Sequence, residues 1–445
     1  MTGGARRRSA LIGAVVGAGL VGCLHHNVLF NAGGLFRQAE VDRRAGRTVA
    51  AAQGYRDVAR KTGEAVRDRP NADWADEALL LYARARLRLG EYADAEGALA
   101  AADRRRAGSR AEVAVFRAFL QDRTGKHEAA LATVNAALTE VTGDALVEAH
   151  LLRGRLLLRR GQAEYGWWDL DQAVHLDPAV RAEAGLERLR WAVELADRER
   201  AFAALRGMLG DPRANVLADT VSALVETARA TWGADTGVEL LAPVDASRWD
   251  REARGRLRLQ RARYLHASGD TATASAAALD VAGGLGPSAA EARLLLAEWR
   301  AAEISALDDA YALRALLLPA ADDPRVSERL GAIDEFERRV GAGLEEPLGL
   351  FAAAEAARDL IGAPRLAHGL FLAYVDQAPD EPWSPKALLA ALGTSPDPGD
   401  RAWIRQRLEA YTDSPYVLAA NGGPAAGFAE LEVELEDRLR ELIRE

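Results

Sequence analysis

Small and apolar residues recur along the chain at fixed distances from a series of breaks in the helical pattern. The breaks follow one another at spacings of 35 and then 36 residues, at Gly90, Gly125, Gly161, Asp197, Gly233, Gly269, Ser305 and Gly341. Most of them are glycines, which adopt positive φ angles at helix ends without steric cost. The period predicts an array of helix pairs, each pair one repeat long.

Small side chains flank these breaks on both sides. They stand five residues after the break at Ala95, Ala130, Gly166, Ala274 and Ala310, and seven before it at Ala83, Ala118, Gly154 and Ala262. Small residues let two helices approach closely, since the distance between helix axes depends on the side chains at the contact. Each break should therefore separate two helices packed against each other.

One unit shows the pattern most fully, with Gly154, Gly161, Ala173 and Pro178 at successive key positions. This arrangement resembles the tetratricopeptide repeat. The Pro-aromatic connectors at 70–79 and 379–388 resemble those of bacterial envelope tetratricopeptide lipoproteins of the BamD-like type. The resemblance covers roughly residues 30–420 and implies an all-α fold, a right-handed superhelix of α-α pairs whose first helices line a groove.

The same pattern divides the chain into segments. We predict a signal peptide at 1–22, a repeat array at 23–342, further repeat-like helix pairs at 343–420 and a capping helix at 421–445. The first pair needs an extended second helix (Thr48–Arg67), and Asp73 is a candidate N-cap for the next helix. Residues 179–250 match only by spacing, and Pro243 should end the helix there. Charges between Leu431, Leu435, Leu439 and Ile443 make the last helix amphipathic.

The N-terminus carries a candidate export signal. Three arginines (residues 6–8) precede an apolar run, Ser9–Gly22, that is too short to span a bilayer. The run ends in Leu20-Val21-Gly22-Cys23, which resembles a lipoprotein box and implies that Cys23 is acylated, with palmitate among its chains. The following Leu24 implies the outer membrane, periplasmic face, with the inner membrane left open. The alternative is an uncleaved anchor with an incidental cysteine.

Composition narrows the function. The chain has 445 residues with 57 Lys+Arg and 66 Asp+Glu, an acidic balance that argues against a nucleic-acid partner. The sole cysteine is Cys23, so acylation leaves no thiol for catalysis. His127-Glu128 begins like a zinc-protease helix, but Leu131 stands where the second histidine is needed. We expect no enzyme activity, no cofactor and no metal.

Arginines offer a candidate partner site. Six fall at groove-facing turns by the family pattern: Arg84, Arg88, Arg123, Arg155, Arg159 and Arg263. Guanidinium groups bind carboxylates bidentately, so the groove could hold an acidic segment of an envelope protein or peptide. We therefore expect a lipid-anchored periplasmic scaffold in outer-membrane protein assembly or cell-envelope maintenance. The alternative for these arginines is pairing with carboxylates of neighbouring helices.

Tryptophans suggest a second function class. Trp167, Trp168, Trp191, Trp232, Trp249 and Trp299 could stack against sugars, as in a surface lipoprotein that binds glycan or peptide ligands. Packing between helices is the other use of such residues.

Overall fold

A computed structural model describes residues 29–104, 110–341, 343–395 and 397–444. These residues form helices joined by short turns, and no strand occurs among them. The predicted all-α helical-repeat class is confirmed. No helix in these ranges is both long enough and apolar enough to cross a membrane.

The helices fall into two compact units that divide after Leu257. This division is separate from the segment boundaries that the repeat pattern predicts, which stay predictions. The first unit contains α1 (29–44), α2 (Thr48–Asp68), α3 (Ala75–Leu89), α4 (Tyr92–Arg104), α5 (Arg110–Arg123), α6 (His127–Ala137), α7 (Gly143–Arg159), α8 (Ala163–Leu176), α9 (Arg181–Glu194), α10 (Arg198–Leu209), α11 (Ala218–Trp232) and α12 (Ala234–Leu241).

The division runs through α13 (Arg251–Ala267). The second unit continues with α14 (Thr271–Ala282), α15 (Pro287–Glu303), α16 (Leu307–Leu317), α17 (Pro324–Gly341), α18 (Pro347–Asp359), α19 (Pro364–Gln377), α20 (Ser384–Thr394), α21 (Pro398–Leu408), α22 (Pro415–Ala420) and α23 (Phe428–Arg444).

The predicted breaks lie between or at the ends of these helices. Five of the predicted turn glycines have positive φ: Gly90, Gly125, Gly161, Gly233 and Gly269. At the fourth break the left-handed residue is Ala196, with φ 55°, and Asp197 instead caps α10 by accepting a hydrogen bond from the Arg200 amide. An aspartate can cap a helix in this way because its carboxylate accepts from the free amides of the first turn.

Helix pairs approach closely where the sequence places small residues. A Cβ atom added to Gly166 on α8 would lie 2.5 Å from Leu158 Cγ and 2.9 Å from the carbonyl oxygen of Gly154 on α7. No larger side chain fits that space unless α7 and α8 move apart.

The weakly matching region 179–250 is helical but irregular. Proline-containing 3₁₀ turns link its helices at Pro178–Val180, Pro212–Leu217 and Ala242–Ala246. The helix before Pro243 ends at Leu241, as predicted. The Asp73 cap is wrong: α3 begins at Ala75 after Trp74, which makes no side-chain cap bond.

In the second unit a large apolar core gathers Phe351, Phe371, Tyr374 and Trp383. The amphipathic helix α23 packs on this core through Leu435, which is 1% exposed. The Trp383 indole Nε1, just before α20, donates a hydrogen bond to the Leu431 carbonyl oxygen of α23 at 3.2 Å.

Candidate functional site

Four of the predicted arginines surround two phenylalanines on α5. The Arg84 guanidinium lies 4.9 Å from the Phe116 ring centroid and 4.6 Å from Phe36 on α1. The Phe119 ring has three guanidiniums within 6 Å, from Arg88, Arg123 and Arg155. Cations are attracted to the negative faces of aromatic rings, so these phenylalanines hold the arginines together.

Carboxylates of the same chain neutralise Arg88 and Arg155, which are two of these four arginines. Arg88 donates through Nε to Glu40 Oε1 at 2.7 Å and also pairs with Glu148 on α7. Arg155 donates to Asp122 Oδ2 at 2.6 Å. Both side chains of the Arg88–Glu40 pair are mostly buried, and so are those of the Arg155–Asp122 pair.

The end of α1 extends this set of ion pairs to helices far along the sequence. Arg43 pairs with Glu183 on α9 at 3.1 Å, and Arg44 lies 3.5 Å from Asp177, just before the turn that leads into α9. A simple repeat array brings only neighbouring repeats into contact. Here the first repeat of the unit also reaches the fifth. We call the connected charges of Glu40, Arg43, Arg88, Glu148 and Glu183 the arginine network.

The arginine network fixes the charge of Glu40. Burial raises the pKa of this carboxyl, but the positive charges of Arg88 and Arg43 and the hydrogen bonds from Arg88 and Tyr55 lower it more, to about 2. The pKa of Glu183 is also lowered: burial opposes the shift, and the charges of Arg43 and Arg88 outweigh it. Both carboxylates are therefore ionised at neutral pH.

The remaining predicted arginines differ in their surroundings. Arg123 and Arg159 are exposed, and neither pairs with a carboxylate among the described residues. Arg159 lies beside His127, 3.1 Å from its Nδ1. Arg263 belongs to the second unit, where it pairs with Glu291. The structure thus brings five of the six arginines together on α3, α5 and α7.

Sequence reasoning missed the residues that organise this cluster. Phe116 and Phe119 are spaced i, i+3 on one face of α5, a signal that the sequence contains. The pairing of Glu40 with Arg88 and that of Glu183 with Arg43 had no such signal, because they depend on how the repeats pack. Cys23, the signal segment and the pair His25-His26 lie outside the described residues, and the role of Cys23 stays a prediction.

A second candidate site lies between α6, α7 and α8. It is a cleft of about 600 Å³ lined by Asn135, Arg153, Leu157, Glu164, Tyr165, Trp168 and Asp169. Two large aromatic side chains are exposed there: Tyr165 by 71% and Trp168 by 53%. We call it the aromatic cleft.

The other tryptophans suggested for ligand stacking are less accessible. Trp249 is buried and donates to the Met208 carbonyl oxygen at 2.8 Å. Trp299 stacks on His266 with ring centroids 4.2 Å apart. Trp167, Trp191 and Trp232 are half-buried. Among these six tryptophans, Trp168 is the one whose ring is exposed in a cleft.

In the part of the chain that the structure describes, no three His, Cys, Asp or Glu side chains are arranged to hold a metal ion. His127 lies 3.0 Å from Asp122 and beside Arg159, so its ring contacts the side chains that surround the arginines of α5 and α7.

The chain is similar to solved structures, but neither family models nor curated proteins match its sequence. It is similar to PilW, a widely conserved type IV pilus biogenesis factor, at 20% identity over 48% of this chain and 92% of PilW, with a TM-score of 0.37.

Two further solved structures are similar. A tetratricopeptide repeat protein from Parabacteroides merdae shares 16% identity over 60% of this chain and 97% of its own, with a TM-score of 0.32. A monomeric mutant of IFIT1 with Gppp-AAAA shares 12% identity over 73% of this chain and 68% of its own, with a TM-score of 0.29. Because all three scores are low, the repeat assignment rests on the helix pairs described above.

Proposed function

We propose that this protein is a non-enzymatic scaffold, anchored to the bacterial envelope through acylated Cys23, that binds an envelope protein or peptide. The observation that carries the proposal is the regular pairing of helices along the described chain. Stacked helix pairs offer an extended surface for a partner. The periplasmic face of the outer membrane is the place that the export signal favours, and outer-membrane protein assembly or envelope maintenance is the process it would serve.

The ion pairs of the candidate arginines show which of them are free to bind a partner. Arg88 and Arg155 already hold carboxylates of their own chain, so an acidic partner segment would have to displace Glu40 or Asp122. Arg123 and Arg159 are exposed at the last turns of α5 and α7 and pair with no described carboxylate. We assign partner binding to these two arginines, since exposed guanidiniums bind carboxylates without first breaking an ion pair.

In-cell cross-linking of the tagged full-length protein, followed by mass spectrometry, tests this function. The double substitution Arg123→Glu and Arg159→Glu should abolish cross-linking to the partner. The same charge reversal at Arg67 and Arg206, which are also exposed in the first unit, should not. Cys23→Ser should shift the protein from the membrane fraction. Partner capture that survives the reversal at Arg123 and Arg159 contradicts the assigned surface, and unchanged membrane association of Cys23→Ser contradicts the anchor.

A second candidate function is ligand binding by a surface lipoprotein. The aromatic cleft favours it, because exposed tryptophan and tyrosine side chains in a concave site are typical of binding sites.

A further inference from the structure

We propose that the aromatic cleft binds an uncharged oligosaccharide, with Trp168 and Tyr165 as the surface on which sugar rings stack. The inference deepens the second candidate function and does not depend on the scaffold proposal. Its ligand class follows from the shape, rigidity and charge of the cleft.

The aromatic platform of the cleft consists of two side chains of α8. Tyr165 and Trp168 are three residues apart on α8 and therefore share a helix face. Leu157 on α7 and Asn135 on α6 also line the cleft. The faces of aromatic rings are electron-rich and attract the weakly positive C–H groups of a pyranose ring. A sugar that stacks through its C–H groups keeps its hydroxyls free for hydrogen bonds. At about 600 Å³ the cleft lies within the size range of small-molecule sites.

A buried network holds this platform in place. Asp169 is fully buried, and both of its oxygens are used: Oδ1 lies 2.7 Å from His150 Nδ1, and Arg153 donates to both oxygens at 2.7 Å. The His150 ring meets Trp168 edge-on, with centroids 5.9 Å apart and planes at 69°. Trp168 is therefore supported by a residue that is itself fixed. Preorganisation of this kind reduces the entropy lost when a ligand binds.

The charges of the cleft are compensated within the protein. Asp169 neutralises Arg153, and Arg200 neutralises Glu164. Because these charges are paired, the cleft presents no net charge that would favour an anionic or a cationic ligand. What the cleft offers instead are hydrogen-bonding groups: the Asn135 amide, the Tyr165 hydroxyl and the Glu164 carboxylate. A neutral ligand rich in hydroxyls matches that set.

Proline-rich peptides also dock in grooves lined by aromatic side chains. The Glu164 carboxylate favours the sugar, because it accepts hydrogen bonds and prolyl residues have no N–H to donate. Sugar hydroxyls both donate and accept.

Calorimetric titration of the full-length protein, in a detergent without a sugar headgroup, tests the inference. The probes are maltotriose, cellotriose and chitotriose. We expect saturable binding of at least one, a loss of affinity of at least tenfold in Trp168→Ala and partial recovery in Trp168→Phe. Trp403→Ala is the matched control, since Trp403 is 44% exposed in the second unit, and it should bind as the wild type does.

Three results would overturn the inference: no binding of any of the three sugars, equal affinity in Trp168→Ala, or Trp168-dependent binding of a decaproline peptide without sugar binding. Far-UV circular dichroism of each variant checks that the helices are retained. Partner cross-linking does not depend on the cleft, so it should be normal in Trp168→Ala and should persist in the wild type even if no sugar binds, which separates this inference from the scaffold proposal.

Discussion

Arg88 Nε donates to Glu40 Oε1 over 2.7 Å and thereby joins α3 to the end of α1. The same carboxylate accepts from Arg43 and from the Tyr55 hydroxyl, and Arg43 continues to Glu183 on α9. Glu40 thus links three elements of the first unit directly and α9 through one further arginine. A buried charge with several partners stabilises its surroundings only while all partners remain, because an unpaired buried charge is strongly unfavourable.

Glu40→Gln should lower the free energy of unfolding in a pH-dependent way. The pKa of Glu40 is about 2 in the folded protein against an ordinary 4.5, so the ionised form stabilises the fold fully above about pH 4.5 and loses this effect as the pH falls towards 2. The shift corresponds to about 3 kcal/mol. Urea denaturation of both proteins should show a gap of this order at pH 7 that narrows below pH 4.5.

Glu128→Gln is the control for Glu40→Gln. Glu128 is exposed and pairs with Arg160 at 3.3 Å, so its removal should change stability by less than about 1 kcal/mol at any pH. An equal effect of the two substitutions would mean that the arginine network contributes no more than a surface ion pair.

Arg155→Met should destabilise the first unit by about 3 kcal/mol, since it leaves the buried Asp122 carboxylate without its guanidinium partner. Arg263→Met removes a more exposed arginine from the pair with Glu291 and should have an effect below about 1 kcal/mol. Thermal unfolding of the two variants measures the difference. Similar melting temperatures would show that Arg155 is not needed for folding and would return it to the candidates for partner binding.

The repeat period was predictable because each break requires a special backbone and each close helix contact requires a small side chain. Both requirements depend on local residues, such as Gly161 and Gly166. The fourth break lies where the pattern predicts it, but its left-handed residue is Ala196, one position before Asp197, which the repeat pattern does not predict. There the hydrogen bond from Arg200 to Asp197 helps to hold the turn.

The candidate sites were less predictable. The sequence singled out the arginines but could not show that Arg43 meets Glu183, which lies 140 residues away. Such contacts depend on the accumulated rotation from one repeat to the next, a property that no single repeat contains. The aromatic cleft has a similar origin: Trp168 was a candidate, yet its contact with His150, and that of His150 with Asp169, depend on the packing of α7 against α8.

Gly166→Ala should destabilise the protein by about 1–3 kcal/mol, because the added methyl group collides with Leu158 and with the Gly154 backbone. Gly97→Ala provides the opposite control. Gly97 lies within α4, does not have a positive φ angle and has open space where a Cβ atom would lie. Alanine there should therefore stabilise the helix by about 0.5–1 kcal/mol. Chemical denaturation should move the two midpoints in opposite directions, and an unchanged or raised midpoint in Gly166→Ala would refute the close contact between α7 and α8.

Leu435→Ala should loosen α23 from the core of the second unit. The side chain is 1% exposed, and replacing a buried leucine by alanine costs about 2–5 kcal/mol. Val433, two residues earlier on α23, is 60% exposed, so Val433→Ala should leave stability nearly unchanged. The Trp383 indole gives a local readout, because its N–H is bonded to the Leu431 carbonyl oxygen. Its hydrogen exchange, followed by NMR, should accelerate in Leu435→Ala and stay slow in Val433→Ala; slow exchange in both would mean that α23 is held by contacts other than Leu435.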